Sequence, residues 1–266
     1  MKLVTWNVNS VRARHDRVVA FLDREAPDVL CLQELKVVDD AFPHEAIAAR
    51  GYHVETHGQP TYNGVAILSR TPLRDISRGF SDGADDDPQA RLITATAEGP
   101  GGEPVRVTSA YVPNGSTVGS DKWAYKLAWM ARLRAALDGL ADGHPYVLCG
   151  DFNVAPEDRD AHTPARWAAS VLMHADARDA LAAWRAWGLD DTVRALHPDA
   201  DEGPFTWWDY RNLGFPKNDG LRIDHVYATA ALAARATEAR VDRDERRAPK
   251  DATPPSDHAP LLVTFA

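Results

Sequence analysis

Apolar positions along this chain fall into two rhythms. Short, nearly continuous apolar runs at Lys2–Val8, Asp28–Gln33, Gly64–Ser69, Tyr146–Gly150, Ile223–Ala228, Ala236–Val241 and Leu261–Phe265 predict strands, several of them buried on both faces. Leu92–Ala97 and Val105–Tyr111 alternate apolar with polar residues across a Gly99-Pro100-Gly101-Gly102 turn, which predicts a hairpin. The second rhythm is helical. Arg14–Arg24 places Val18, Val19, Phe21 and Leu22 on one face and is stopped by Pro27. Ser120–Leu140 repeats Trp123, Leu127, Met130, Leu133, Leu137 and Leu140 at three- and four-residue steps, with Ser120 or Asp121 as its cap. The Ala-rich stretch 164–188 also reads as mostly helical. Strands in both halves with helices between them predict an α/β sandwich rather than a doubly wound βαβ array.

Six polar clusters each sit at one end of an apolar run: Trp6-Asn7-Val8-Asn9, Gln33-Glu34-Leu35-Lys36, Tyr111-Val112-Pro113-Asn114, Gly150-Asp151-Phe152-Asn153, Arg222-Ile223-Asp224-His225 and Ser256-Asp257-His258. Asn7, Glu34, Asp151 and Asn153 follow their runs, whereas Asp224 and Asp257-His258 precede theirs. Antiparallel neighbours would bring all of them to one rim. Any one cluster by itself is better explained as a solvated strand end or an Asx turn; six together are not. Carboxylates and amides without cysteine ligands suit a hard cation such as Mg²⁺, and a histidine beside such an ion suits phosphoester hydrolysis. His225 is expected to pack rather than react, because it points to the opposite face from Asp224.

Composition narrows the picture modestly. The 266 residues carry 30 basic and 39 acidic side chains, a net charge of −9, so binding to nucleic acid cannot rest on overall charge. Asp82, Asp85, Asp86, Asp87 and the stretch 199–202 are expected as solvated acidic loops away from any phosphate path. The two cysteines, Cys31 and Cys149, lie inside apolar runs and read as buried thiols. No apolar stretch is long enough to span a bilayer, and the first strand begins directly after Met1, so a cytoplasmic location is expected. No Walker or G-x-G-x-x-G loop is present.

The segments Trp6–Arg14, Leu32–Lys36, Gly64–Ser69, Gly150–Pro156 and Ser256–Pro260, in that order, resemble the signature segments of the exonuclease III family of the endonuclease/exonuclease/phosphatase superfamily. The resemblance spans residues 3 to 265 and implies a single catalytic domain over 1–266. Its fold would be a four-layered α/β sandwich, two mixed sheets face to face with helices outside. It implies Mg²⁺ or Mn²⁺ dependence and a monomer acting on double-stranded DNA, incising 5′ to abasic sites and removing nucleotides or blocking groups from 3′ ends. Glu34 would be the main metal ligand, helped by Asn7 and Asp257 directly or through water. Asp224 would accept from His258, and Asp151, beside Asn153, would position and deprotonate the attacking water; sequence leaves open whether Asp151 or His258 is the base. Tyr111 and Lys122 would donate to phosphate oxygens, and Asn114 would bind phosphate or sugar. Trp207 would pack on the abasic sugar, with the loop 218–223, including Leu221 and Arg222, as the other wall. Asn9, Lys36, Arg91 and Arg211 complete the expected DNA contacts, Trp208 is expected in the core, and the Ala/Arg/Asp-rich segment 157–187 could shape the lesion pocket. A nucleotide-type small phosphoester is the rival substrate, and a catalytically silent DNA-binding module the rival class.

Overall fold

The computed structural model describes residues 1–247 and 253–266. In chain order the strands are β1 (Lys2–Asn7), β2 (Val29–Gln33), β3 (His53–His57), β4 (Val65–Ser69), β5 (Arg74–Arg78), β6 (Leu92–Glu98), β7 (Pro104–Tyr111), β8 (Tyr146–Asp151), β9 (Leu189–Asp191), β10 (Trp207–Trp208), β11 (Gly220–Leu221), β12 (Asp224–Thr229), β13 (Ala236–Val241) and β14 (Leu261–Phe265). The α-helices are α1 (His15–Glu25), α2 (His44–Ala48), α3 (Asp121–Ala141), α4 (Pro164–Trp167), α5 (Ala175–Trp187), α6 (Thr192–Leu196) and α7 (Ala230–Ala233). Two six-stranded mixed sheets form, in the orders β13-β14-β1-β2-β4-β3 and β5-β6-β7-β8-β12-β9, plus a small β10-β11 ribbon.

Side-chain alternation explains the layers. Along β1, Leu3 faces the other sheet while Val4 and Trp6 face α1, where they meet Phe21 and Leu22. Along β8, Val147 and Cys149 enter the layer between the sheets, and Tyr146 and Leu148 turn toward α3 and α5. The result is helices, sheet, sheet, helices, the four-layered arrangement expected. Trp123, Met130, Leu133, Leu137 and Leu140 of α3 are buried against the second sheet, and Ser120 caps the helix by accepting from the Trp123 amide at 3.2 Å.

The same parity places the chemistry. Asn7, Gln33, Tyr111, Asp151 and Asp224 lie in register with residues facing the gap between the sheets, each at the strand end on one rim. β12 runs antiparallel to β8, so the start of one meets the end of the other and Asp224 pairs with Asp151. β14 runs antiparallel to β1, which brings the chain just before it, including His258, back to the end of β1. Beneath this rim, Gln33 Nε2 donates across the gap to Ser109 Oγ at 3.0 Å, tying the sheets together where a purely apolar layer would stop. Gly150 has φ of +145°, and a Cβ there would lie 1.9 Å from the Ala110 carbonyl oxygen; only glycine lets β8 pass β7 this closely just before Asp151.

The edge strands β3, β5 and β9 were not apparent from sequence. β3 and β5 are half-exposed and polar, so no apolar run marks them. The stretch 164–188 is helical only in part: α4 and α5 are separated by turns.

Candidate active site

Three carboxylates and one imidazole converge at the rim. His258 Nδ1 lies 2.8 Å from Asp224 Oδ2, and its Nε2 lies 3.7 Å from Asp151 Oδ2. All three side chains are almost fully buried. Burial opposes the imidazolium, but the charges of Asp224 and then Asp151 outweigh it and push His258 up to about 10. Burial also pushes Asp151 up to about 7; His258 and the Asn7 amide counter it, while the Asp224 and Glu34 charges add to it. Asp151 Oδ1 accepts from the Asn153 backbone amide at 2.9 Å.

Glu34 stands at the open side of this pair with φ of +54°, a left-handed conformation unusual for a glutamate and held by the Leu35 amide bonding the Gly64 carbonyl. Lys36 Nζ lies 2.9 Å from its carboxylate. Ligand atoms of Glu34, Asp151 and His258 all fall within 4.8 Å of one another. Glu34, Asp151 and Asp224 bring more negative charge than His258 and Lys36 offset, and Asp224 Oδ1 is buried with no hydrogen-bond partner. That excess of buried anionic oxygen fits a hard divalent cation.

Two expected ligands are not placed for direct ligation, which leaves each the water-bridged role. Asn7 Nδ2 donates to Glu34 Oε1 at 2.8 Å and to Asp151 Oδ2 at 2.9 Å, while its oxygen accepts from the Asn9 amide. Asn7 therefore presents a donor to the cluster and holds the two carboxylates together instead of ligating. Asp257 lies outside the cluster: its two oxygens accept from Asn9 Nδ2 and Trp207 Nε1, each at 3.0 Å.

A cavity of about 500 Å³ opens beside Glu34, with Tyr111, Arg91, Asn114 and Lys122 among its lining. Burial first, then the Glu34 and Asp151 charges, holds the Tyr111 phenol well above its ordinary value, so it is a donor throughout the physiological range. The Arg91 guanidinium sits 4.6 Å over the Tyr111 ring and donates to the Tyr111 carbonyl and to Gln89. It orients Tyr111 as much as it faces the cavity. Lys122 is exposed, and no carboxylate among the described residues pairs with it. Asn114 Nδ2 donates to Asn153 Oδ1 at 2.9 Å. The acidic loop is nearer than expected: Asp87 accepts from the hydroxyl of Tyr125, which also lines this cavity, so the loop edges the site instead of standing apart from it.

On the other side stands Trp207. Its backbone bridges to His258, its ring is half-buried, and Trp167 of α4 meets it edge-on at 5.8 Å. Trp167 was invisible as a site residue because its segment has no strand pattern to fix its place. Trp208 is fully buried, as expected. Arg211 is exposed on the loop beyond, beside the exposed Tyr210 and Leu213.

Leu221 and Arg222 cannot touch a substrate, because both are fully buried. Leu221 pairs with Trp207 in the β10-β11 ribbon and backs that ring from behind. Arg222 donates through Nε to Asp160 at 2.7 Å and forms an ion pair with Asp191 at 2.8 Å; Arg194 also bonds Asp160. Burial opposes its charge, but Asp191 and Asp160 raise it further. Arg222→Met leaves these acids underpaired in the interior, which costs about 3–5 kcal/mol and lowers the melting temperature by roughly 10 °C. Thermal unfolding checks this, and an unchanged salt dependence of DNA binding would confirm that Arg222 makes no phosphate contact. His225 belongs to the same buried group: Nε2 meets the Val154 carbonyl at 2.9 Å, the ring packs on Phe152, and burial then Arg222 push it down to about 4.

Beneath the site lies a buried charge with no counterpart in the sequence pattern. Lys126 is fully buried and its Nζ donates to the carbonyls of Asn114, Asn153 and Val171 at 3.2, 2.7 and 2.7 Å. It occupies the stripe 123-126-130-133-137-140 of α3, where Leu127 had been expected and is only half-buried. A lysine in the middle of an apolar stripe was the available signal.

The model of the Endonuclease/Exonuclease/phosphatase family matches residues 4–258. The chain belongs to that family. Exodeoxyribonuclease III of Haemophilus influenzae is 36% identical, with 100% of each chain covered. Among solved structures, the 3′-5′ exonuclease NExo of Neisseria meningitidis superposes with a TM-score of 0.92 at 40% identity, covering 100% of this chain and 99% of that one. An AP endonuclease from Archaeoglobus fulgidus gives 0.90 at 39%, with the same coverage. The resemblance to the exonuclease III branch thus holds over the whole chain, and the protein is a hydrolytic nuclease of this metal-dependent family with the DNase-I-like sandwich of its structural neighbours.

Proposed function

We propose that this nuclease repairs DNA by cutting duplexes 5′ to abasic sites and by removing nucleotides or blocking groups from 3′ ends, as a monomeric single catalytic domain over 1–266 working in the cytoplasm. The observation that carries the reading is the buried Asp224–His258–Asp151 relay with Glu34 on one side and the half-exposed Trp207 on the other. A phosphodiester placed between them meets a base, a cation and an aromatic face at once.

Glu34 and Asp151 would hold Mg²⁺ or Mn²⁺, which supplies Lewis acidity toward the phosphoryl oxygens. Asp224 fixes the His258 tautomer through Nδ1 and keeps the ring cationic, so Nε2 is directed toward the phosphate and Asp151. Asp151 takes the proton of the attacking water. Its Oδ1 is anchored by the Asn153 amide, so the lone pair used for proton transfer is held in place. Tyr111, oriented by Arg91, and Lys122 donate to the phosphate as negative charge builds in the in-line transition state. Asn114 contacts the phosphate or sugar from its bond with Asn153. Asn9 and Lys36, hydrogen-bonded to one another beside Glu34, and Arg211 on the outer loop lie where the strand continues. The products are a 3′-hydroxyl and a 5′-phosphate or 5′-deoxyribose phosphate.

Trp207 separates DNA lesions from generic phosphoesters. Braced by Trp167, which packs edge-on against it at 5.8 Å, its exposed side suits a flattened sugar lacking a base, and its Nε1 bond to Asp257 fixes its tilt. Trp207→Ala is expected to lower kcat/KM on an abasic duplex about 10–100-fold, in line with stacking contacts of about 1–3 kcal/mol. Hydrolysis of bis-p-nitrophenyl phosphate should change little. Parallel kinetics on the two substrates check this; equal losses would make Trp207 a structural residue and leave a small phosphoester as the substrate.

A further inference from the structure

The Lys126 ammonium is the least expected group in the second layer of helices. Among the described residues no carboxylate lies within bonding distance of it. Instead all three of its hydrogens meet main-chain carbonyls from three separate segments: Asn114 after β7, Asn153 after β8, and Val171 between α4 and α5. Three donors matched to three acceptors suit an –NH₃⁺ group, which these bonds and the Asp151 charge favour against the burial that pulls Lys126 down to about 7. Its stem is clasped as well. The Trp123 ring lies 5.7 Å from Nζ, and a Cβ at Gly115 would come within 3.0 Å of Lys126 Cδ, so the loop after Asn114 lies directly on the side chain.

Two of those carbonyls belong to a pair already joined through its side chains. Asn114 Nδ2 donates to Asn153 Oδ1 at 2.9 Å, and Asn153 Nδ2 donates to the Val112 carbonyl at 3.0 Å. Asn153 in turn donates its backbone amide to Asp151. Asn153 holds φ of +50°, a left-handed conformation that needs outside support. Lys126 supplies such support from below, gripping the main chain of both asparagines. An apolar side chain would serve the helix stripe better than a buried charge, since burying an ammonium is costly without full compensation. Packing alone gives no reason for a lysine here.

We propose that Lys126 is a positioning residue for the cleavage reaction: a buried ammonium that binds the loops after β7 and β8 and the segment before α5 into one unit, setting the Asn114–Asn153 pair and, through it, Asp151. The assignment rests on the nuclease reading for its kinetic consequence, but not for the hydrogen bonds themselves. It also explains why the segment after the Asp-Phe-Asn cluster matters to the site: Val171 gives it a direct tie to the catalytic end of β8.

Two measurements test it. On an abasic duplex, Lys126→Met, which keeps the volume and removes the donors, is expected to lower kcat about 10–100-fold, the cost of a misplaced reacting group, while KM stays within about three-fold. Leu133→Ala, in the same stripe of α3 and away from the site, loses stability through its cavity but should keep kcat well below its melting temperature. In the intact protein, labelled with ¹⁵N-lysine and ¹³C-carbonyl, one slowly exchanging Nζ resonance should show through-bond couplings to the carbonyls of 114, 153 and 171. Lys126→Met retaining kcat within two-fold, or Leu133→Ala losing as much kcat, would overturn the proposal. So would a rapidly exchanging Lys126 Nζ without those couplings, a result that stands even if Lys126→Met does not fold. Failure of the wild-type enzyme to cut the duplex would instead overturn the nuclease reading, with the resonance experiment still deciding Lys126.

Discussion

Asp151→Asn is expected to lower turnover by about 10³-fold or more while leaving DNA affinity within a few-fold. The substitution keeps the shape and the bond from the Asn153 amide, and removes the charge, the basic lone pair and the acceptor that Asn7 Nδ2 meets. A base serves best when its pKa lies near the working pH, and burial brings Asp151 up to about 7 from an ordinary 3.8. The pH dependence follows. Activity should fall on the acid side as Asp151 takes up a proton, with a midpoint below 7 once a cation favours the carboxylate. In the metal-free protein the folded state holds this proton between about 3.8 and 7 and the unfolded chain does not. Stability from this group is therefore present at low pH and lost as pH rises through about 7. Asp151→Asn should flatten that part of the curve, seen as a smaller fall in the contribution to melting temperature between about pH 4 and 7 in EDTA. Retention of substantial activity would remove Asp151 from the proton transfer.

His258→Ala is expected to cost about 10²–10⁴ in kcat, because it deletes a phosphate contact and the group that Asp224 holds cationic. It also strips Asp224 Oδ2 of its 2.8 Å partner, leaving a fully buried carboxylate without that bond. Single-turnover rates separate the chemical step from the loss of fold stability. A loss of only a few-fold would place His258 outside the chemistry. His258 adds its own slope to the stability curve: raised from 6.5 to about 10, it stabilises the fold fully below 6.5 and loses that contribution as pH rises through 10.

What the sequence made legible was the backbone. A period of two puts Asn7, Tyr111, Asp151 and Asp224 on the gap-facing side of their strands, and antiparallel return explains why residues preceding strands join residues following others. The same parity turned His225 away from the site. What stayed hidden was decided by partners far apart in the chain. Arg222 reads as a surface cation until Asp160 and Asp191 are seen to enclose it. Asn7 reads as an oxygen ligand until its Nδ2 is seen to join the Glu34 and Asp151 carboxylates. The Asp82–Asp87 loop reads as remote until Asp87 meets Tyr125. β3 and β5 carry no apolar rhythm because a half-exposed edge strand needs none, and the helical period of α3 points equally to Leu127 and to Lys126 beside it.

The most direct test uses a 5′-labelled duplex with one central tetrahydrofuran abasic analogue, incubated with Mg²⁺ or with EDTA and resolved on a denaturing gel. The account predicts one Mg²⁺-dependent cut immediately 5′ to the lesion, with a ladder of products from 3′ ends. An intact strand from enzyme that still hydrolyses a simple phosphodiester would contradict it and assign the site to a small phosphoester.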